Sequence, residues 1–131
     1  MDNQNTVGMQ FKAMKVIHIA LCMGVVIILS IMRYLVKQQA PIDHAQDNMA
    51  FEIVGVALAF ICMLASRFLF LTRASTAVNI PALSEKIAVY RGALILQLAL
   101  LEGPAIINTI FYFLTKNDLH FFIAIGLLLF M

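Results

Sequence analysis

The chain of 131 residues contains few charged side chains and no tryptophan: 12% of its residues are charged, whereas 63% are hydrophobic. Soluble domains have about 25% charged and about 45–50% apolar residues. This imbalance excludes a disordered chain and an ordinary water-soluble enzyme. The nine Lys and Arg residues are scattered along the chain, with no basic stripe. We therefore predict no nucleic-acid partner.

Residues that carry chemistry are also scarce. The two cysteines, Cys22 and Cys62, lie inside apolar runs and match no disulfide, zinc or redox spacing. Asp43, His44 and Asp47 are a common loop composition, and we do not interpret them as a metal site. The sequence has no paired carboxylates, no nucleophile–base arrangement and no phosphate-binding glycine loop. It thus predicts no enzyme activity, no cofactor and no metal.

Long apolar runs dominate what is present. They cover residues 16–36, 53–71, 92–115 and 119–131. A spanning helix needs about 20 apolar residues, which the first three runs supply or nearly supply. The sequence therefore predicts an all-α fold: an integral membrane bundle of four transmembrane helices in a single domain, residues 1–131. Since the fourth run reaches only about 20 Å, we expect the chain to be truncated after Met131.

The distribution of basic residues predicts the orientation. The N-terminus and the second connection carry six Lys or Arg residues: Lys12, Lys15, Arg67, Arg73, Lys86 and Arg91. The first and third connections, on the other side of the membrane, carry three: Arg33, Lys37 and Lys116. Basic residues favour the cytoplasmic side. We therefore predict that both termini face the cytoplasm, with residues 1–10 a flexible cytoplasmic tail and residues 73–90 a cytoplasmic connection. The predicted location is the inner membrane of a bacterium.

A break is predicted within the cytoplasmic connection. Asn79, Ile80 and Pro81 interrupt the helical pattern, and Pro81 suits the first turn of a helix through residues 82–91. The third helix is therefore expected to begin inside the cytoplasm.

Glu102 is the outlier among the polar residues, because it lies near the centre of the third span. A charged side chain at this depth costs about 2.5–3.5 kcal/mol. A neutral carboxyl there suits two roles, a hydrogen-bonding clasp between helices and an ion carrier. Gly103 permits close helix approach, and Pro104 predicts a kink.

Two further polar residues of the third span, Gln97 and Asn108, share one face that Glu102 does not. We interpret them as hydrogen-bonding contacts between helices. Arg67, near the end of the second span, is the candidate counter-charge for Glu102, although its side chain can also extend to the headgroups. His18 and His120 lie near span ends and are interpreted as interfacial.

The segment Gln97-Leu98-Ala99-Leu100-Leu101-Glu102-Gly103 resembles the second helix of the rotor-ring proteolipid, subunit c of rotary ATP synthases. The preceding span, with Gly55 and nearby alanines, would correspond to the first proteolipid helix. The resemblance covers residues 53–114 and implies that Glu102 binds a proton or sodium ion. The glycine stripe of that family is reduced here to Gly55, and its loop arginine is replaced by Asn79.

The whole chain is also similar to small four-helix membrane proteins of the Bacteroidetes type. They share a third helix with Leu100-Leu101-Glu102-Gly103 and a Phe113-Leu114-Thr115-Lys116-Asn117 turn. This resemblance implies topology and no function.

From these residues we expect a non-enzymatic structural or accessory subunit of a membrane assembly or homo-oligomer, in which Glu102 clasps neighbouring helices. The alternative is a proton- or cation-translocating element in which Glu102 carries the ion. The expected partners are membrane lipids and other membrane subunits.

Overall fold

A computed structural model describes residues 2–39 and 48–131, with side chains from residues 8–39 and 49–131. Its helices are α1 (Asp2–Gln38), α2 (Asn48–Val78), α3 (Leu83–Thr115) and α4 (Asp118–Phe130). The predicted all-α class is therefore confirmed. The loop containing Asp43, His44 and Asp47 lies outside the described residues.

Three helices of the described chain are long and apolar enough to cross a membrane: Gly8–Gln38, Met49–Val78 and Leu83–Thr115. The fourth, α4, is also apolar but has 13 residues. The structure thus supports a membrane protein with three spanning candidates and one shorter apolar helix.

The helices extend beyond the apolar runs that predicted them. α1 begins at Asp2, within the segment predicted to be a flexible tail, and α2 continues to Val78. Near the end of α2, the hydroxyls of Thr72, Ser75 and Thr76 donate to carbonyls of their own helix, so polar side chains do not interrupt it. The predicted connection of residues 73–90 consequently shortens to residues 79–82, with Ala82 as the N-cap of α3.

The turn between α3 and α4 reverses the chain within two residues. Lys116 adopts the left-handed conformation at φ 55°, and its N–H donates to Tyr112 O at 2.8 Å. Asn117 then caps α4, because its side-chain oxygen accepts from the Leu119 N–H at 3.0 Å. As a result, α4 folds back along α3.

α3 is the central helix of the bundle. It packs against α1, α2 and α4, whereas no Cα atoms of the described residues of α1 and α2 come within 8 Å of each other. α4 also touches both α1 and α2, so it fills the space between them. The core cluster accordingly draws on all four helices, through Val25, Ala59, Leu101, Ala105 and Leu127.

The two ends of the bundle differ in how many of the described helices pack there. We call the end where α3 passes into α4 the α3–α4 end, and the opposite end the α2–α3 end. Four helices pack together near the α3–α4 end. Toward the α2–α3 end, α4 stops at Phe130 and three helices continue.

Candidate functional site

A single side chain connects three helices inside the bundle. Asn108 of α3 donates through Nδ2 to Gly55 O of α2 at 3.2 Å, and to Pro104 O of its own helix at 3.0 Å. Its Oδ1 lies 3.0 Å from Nδ1 of His120 in α4. Asn108 and His120 are both 0% exposed. We call Gly55, Asn108 and His120 the Asn108 clasp.

The hydrogen bonds of the clasp define the proton arrangement on His120. Both amide protons of Asn108 point at carbonyl oxygens, which leaves Oδ1 as an acceptor. Nδ1 of His120 must therefore donate to Asn108. The other ring nitrogen, Nε2, is buried and has no hydrogen-bond partner in the part of the chain that the structure describes.

Gly55 is present because the clasp leaves no room for a side chain. A Cβ at this position would lie 2.7 Å from Asn108 Oδ1 and 2.8 Å from His120 Cε1. Such separations are far below van der Waals contact, so α2 approaches this closely only through a glycine. Phe111 closes another side, with its ring edge-on to the imidazole at 5.4 Å between centroids.

A second polar contact lies next to the clasp, toward the α3–α4 end. Asn117 Nδ2 donates to Glu52 Oε1 at 2.6 Å, joining the start of α2 to the turn before α4. A bond to a carboxylate oxygen is stronger than one between neutral groups. Together with the clasp, this bond attaches α4 to α2 at two points.

Glu102 lies outside this network. It is half-buried, and no hydrogen bond or ion pair joins it to any other described residue. The space beside it is open: a Cβ at Gly103 would meet no atom within 4 Å. Pro104 is buried within α3, which continues to Thr115.

The other predicted site residues are dispersed. Gln97 is half-buried on α3 and Arg67 is exposed on α2. Neither forms a hydrogen bond or ion pair within the described ranges, so the structure does not bring Arg67 and Glu102 together. Asn108 hydrogen-bonds to both α2 and α4.

Sequence reasoning missed the partners of Asn108. His120, which the sequence places near the end of a span, is fully buried among the helices and bonds to Asn108. The signal available was Gly55, a lone glycine in an apolar run, which indicates close helix approach. The identity of the approaching side chains depends on how tightly the turn at Lys116 reverses the chain.

A comparison of the chain with protein-family models, curated proteins and solved structures gives no match. Within the described residues, no three His, Cys, Asp or Glu side chains are grouped to hold a metal ion. The site thus contains two different polar side chains. Asn108 makes all its hydrogen bonds inside the chain, whereas Glu102 has no partner among the described residues.

Proposed function

We propose that this chain is a small non-enzymatic integral membrane protein, and that it serves as a structural or accessory subunit of a membrane assembly. In the simplest case the assembly is a homo-oligomer. All four helices lie in the bacterial inner membrane, with both termini toward the cytoplasm, as the basic residues indicate.

The observation that carries the proposal is the unpartnered Glu102. Its position is near the middle of the long apolar helix α3, and no described residue offers it a hydrogen bond. A carboxyl at that depth costs a few kcal/mol when it is charged and left without compensation. Lipid tails have no hydrogen-bonding groups, so a polar partner at this depth must come from another membrane protein.

The surface around Glu102 suits a neighbouring helix. Ala99 is exposed, and Gly103 follows one helical turn later with open space above it. This spacing of two small residues lets helix backbones approach closely in membranes. Glu102 lies at the edge of this small-residue surface, where its carboxyl can bond to the approaching helix.

The Asn108 clasp supports this interpretation by contrast. Its amide uses both protons and its oxygen inside one chain. The clasp therefore stabilises the subunit itself, whereas Glu102 is left for contact with another subunit.

Cysteine crosslinking in native membranes tests the proposal. In a background with Cys22 and Cys62 changed to alanine, Ala99→Cys should form disulfide-linked dimers on mild oxidation. Leu64→Cys, exposed on α2, is the matched control and should not crosslink. If Ala99→Cys stays monomeric on oxidation, or forms no more dimer than Leu64→Cys, a homo-oligomer through this face is contradicted.

Substitution of Glu102 tests the role of its carboxyl. In vesicles, energy transfer between labelled chains should persist in Glu102→Gln, which keeps the hydrogen bond, and fall at least fivefold in Glu102→Leu. Glu85→Leu, at an exposed position in the first turn of α3, is the control and should leave association unchanged.

The second candidate function is ion translocation with Glu102 as the carrier. The open space at Gly103 favours it, because a carrier carboxyl needs access from outside the chain. Glu102→Gln separates the two functions, since the amide still bonds but does not titrate. Retained assembly with abolished proton or sodium flux would establish the carrier; unchanged flux would exclude it.

A further inference from the structure

A shallow groove runs between α1 and α4 on the surface of the bundle. It encloses about 250 Å³, and its walls come from Val26, Leu29 and Arg33 of α1 and from Phe121, Ile125 and Leu128 of α4. The two helices run in opposite directions here, so Arg33 and Phe121 share one end of the groove, and Val26 and Leu128 share the other. We call this feature the Arg33 groove.

The Arg33 groove leads from the headgroup region into the hydrocarbon. Arg33 lies five residues before the end of α1 at Gln38, and Phe121 lies three residues after the start of α4 at Asp118. These intervals correspond to about 7–8 and about 4–5 Å at the helical rise. A headgroup layer is about 5–8 Å thick on each side of the bilayer. With these helix ends at the water surface, Arg33 therefore lies at the level of the lipid phosphates, and Val26 lies about 10 Å deeper.

Arg33 carries a charge that the described residues do not neutralise. Its guanidinium lies over the ring of Phe121, 4.0 Å from the centroid, so the ring holds one of its faces. The side chain is half-buried, and no carboxylate of the described residues forms an ion pair with it. The planar fork of N–H donors in a guanidinium matches a phosphate, which it binds through two parallel hydrogen bonds. The stacked arginine thus presents its N–H edge to an anion at the depth of the phosphates.

The rest of the Arg33 groove suits a hydrocarbon chain. Ser30, the other polar side chain in its walls, donates its hydroxyl proton to Val26 O at 2.7 Å, within its own helix. The remaining walls are aliphatic or aromatic. A free phosphate would satisfy Arg33 but would leave these walls uncovered. A helix from a second copy would cover the walls but would leave the guanidinium without an anion.

We propose that the Arg33 groove binds one anionic phospholipid of the leaflet at the α3–α4 end. Its phosphate accepts hydrogen bonds from Arg33, and an acyl chain lies between α1 and α4, past Ile125 toward Leu128. A zwitterionic lipid also offers a phosphate, but its own cation lies close to the guanidinium and opposes binding. A headgroup with a net negative charge is therefore preferred.

Lipid retention measured by native mass spectrometry tests the proposal. The protein is reconstituted in vesicles of equal phosphatidylglycerol and phosphatidylcholine, and is then extracted in mild detergent. One phosphatidylglycerol per chain should remain bound, in preference to phosphatidylcholine. The variant R33Q should retain at least fivefold less, since one basic side chain near an anionic surface strengthens binding about fivefold. The matched control is K37Q, which removes the same charge from an exposed position one helical turn later, outside the groove. It should retain phosphatidylglycerol like the unmodified chain.

A second pair of variants tests the acyl chain without changing any charge. Val26→Phe places a ring in the deep end of the Arg33 groove and should lower retention while Arg33 is unchanged. Ile27→Phe, at the next residue of α1, adds the same bulk at an exposed position that does not line the groove, and should have no effect. Because Val26 is itself partly exposed, both variants should fold, and circular dichroism checks that each stays helical.

Four results would overturn the proposal. Equal losses in R33Q and K37Q would indicate diffuse attraction to the membrane surface. Equal retention of phosphatidylglycerol and phosphatidylcholine by the unmodified chain would exclude selection of an anionic lipid. Unchanged retention in Val26→Phe would show that a phosphate binds without an acyl chain in the groove. A disulfide-linked dimer of Ser30→Cys, without Cys22 and Cys62, that retains no lipid would show that a second copy covers the groove. None of these results bears on Glu102.

Discussion

The two ends of the bundle differ in what lies between α1 and α2. At the α3–α4 end, α4 fills the space between α1 and α2, and Asn108, His120, Asn117 and Glu52 bond to one another or to nearby backbone. At the α2–α3 end, the described residues of α1, α2 and α3 line an apolar surface that Lys15 and Lys86 border. The contrast teaches that buried side-chain hydrogen bonds join the helices at one end, whereas the other end is held by apolar contacts and carries basic side chains.

The largest predicted effect comes from adding one methyl group at the α3–α4 end. Gly55→Ala places a Cβ 2.7 Å from Asn108 Oδ1, so α2 must move away and break the Asn108 clasp. We expect a loss of about 3 kcal/mol in unfolding free energy. Unfolding in mixed micelles with increasing dodecyl sulfate, followed by circular dichroism, measures it.

Gly24→Ala is the control for this substitution, because a Cβ there meets nothing within 4 Å. It should be neutral or stabilising by up to about 1 kcal/mol, as alanine favours the helix. Equal stability losses at Gly55 and Gly24 would show that the clasp does not govern helix packing.

The next effect concerns the amide of the clasp. Asn108→Ala removes the bond to Gly55 O and leaves the buried Nδ1–H of His120 without an acceptor. We expect a loss of about 2 kcal/mol. Thr109→Ala, also buried, removes a bond within one helix and should cost less than half as much. The same unfolding titration compares the two variants, and similar losses would contradict a bridging role for Asn108.

A smaller effect is expected at the turn that directs α4. Asn117→Ala removes both the N-cap of α4 and the hydrogen bond to Glu52. The expected loss is about 1 kcal/mol. Asn117→Ser restores the cap but does not reach Glu52, and should recover part of the stability. A serine variant no more stable than the alanine variant would exclude the cap as a contributor.

The smallest effect is expected from replacing one arginine at each end of the bundle. The Arg33 guanidinium lies 4.0 Å from the ring centroid of Phe121 at the α3–α4 end. Arg33→Gln should cost about 0.5–1 kcal/mol. Arg73→Gln, exposed at the α2–α3 end, should change the unfolding free energy little. A larger loss at Arg73 would reverse the comparison between the ends.

Hydropathy alone predicted the all-α class and the three long apolar helices, because the composition of each run decides its preference for lipid. The helix ends were less predictable. Thr72, Ser75 and Thr76 are polar, but their hydroxyls bond to carbonyls of their own helix, and α2 continues to Val78. The break before α3 was visible in advance because Asn79 and Pro81 disfavour a continuing helix, but Pro81 precedes the N-cap Ala82 and does not lie in the first turn as predicted.

The candidate site was only partly predictable. Asn108 was recognised as a polar residue between helices, but its partners lie 53 and 12 residues away along the chain. Those contacts depend on the register of α2 and on the tight reversal at Lys116, which no local pattern specifies. For Glu102 the sequence indicates the depth and the cost of burial, and its clasp or carrier role stays a prediction.

The central claim is that Glu102 is partnered by another membrane subunit. Its most direct test is carbodiimide labelling of Glu102, located by mass spectrometry, in native membranes and after dissociation to monomers in detergent. The account predicts protection in membranes and labelling of the monomer, with exposed Glu85 labelled equally in both as the internal control. Equal labelling of Glu102 in membranes and in monomers would contradict it, and labelling in membranes that sodium blocks would favour the ion carrier instead.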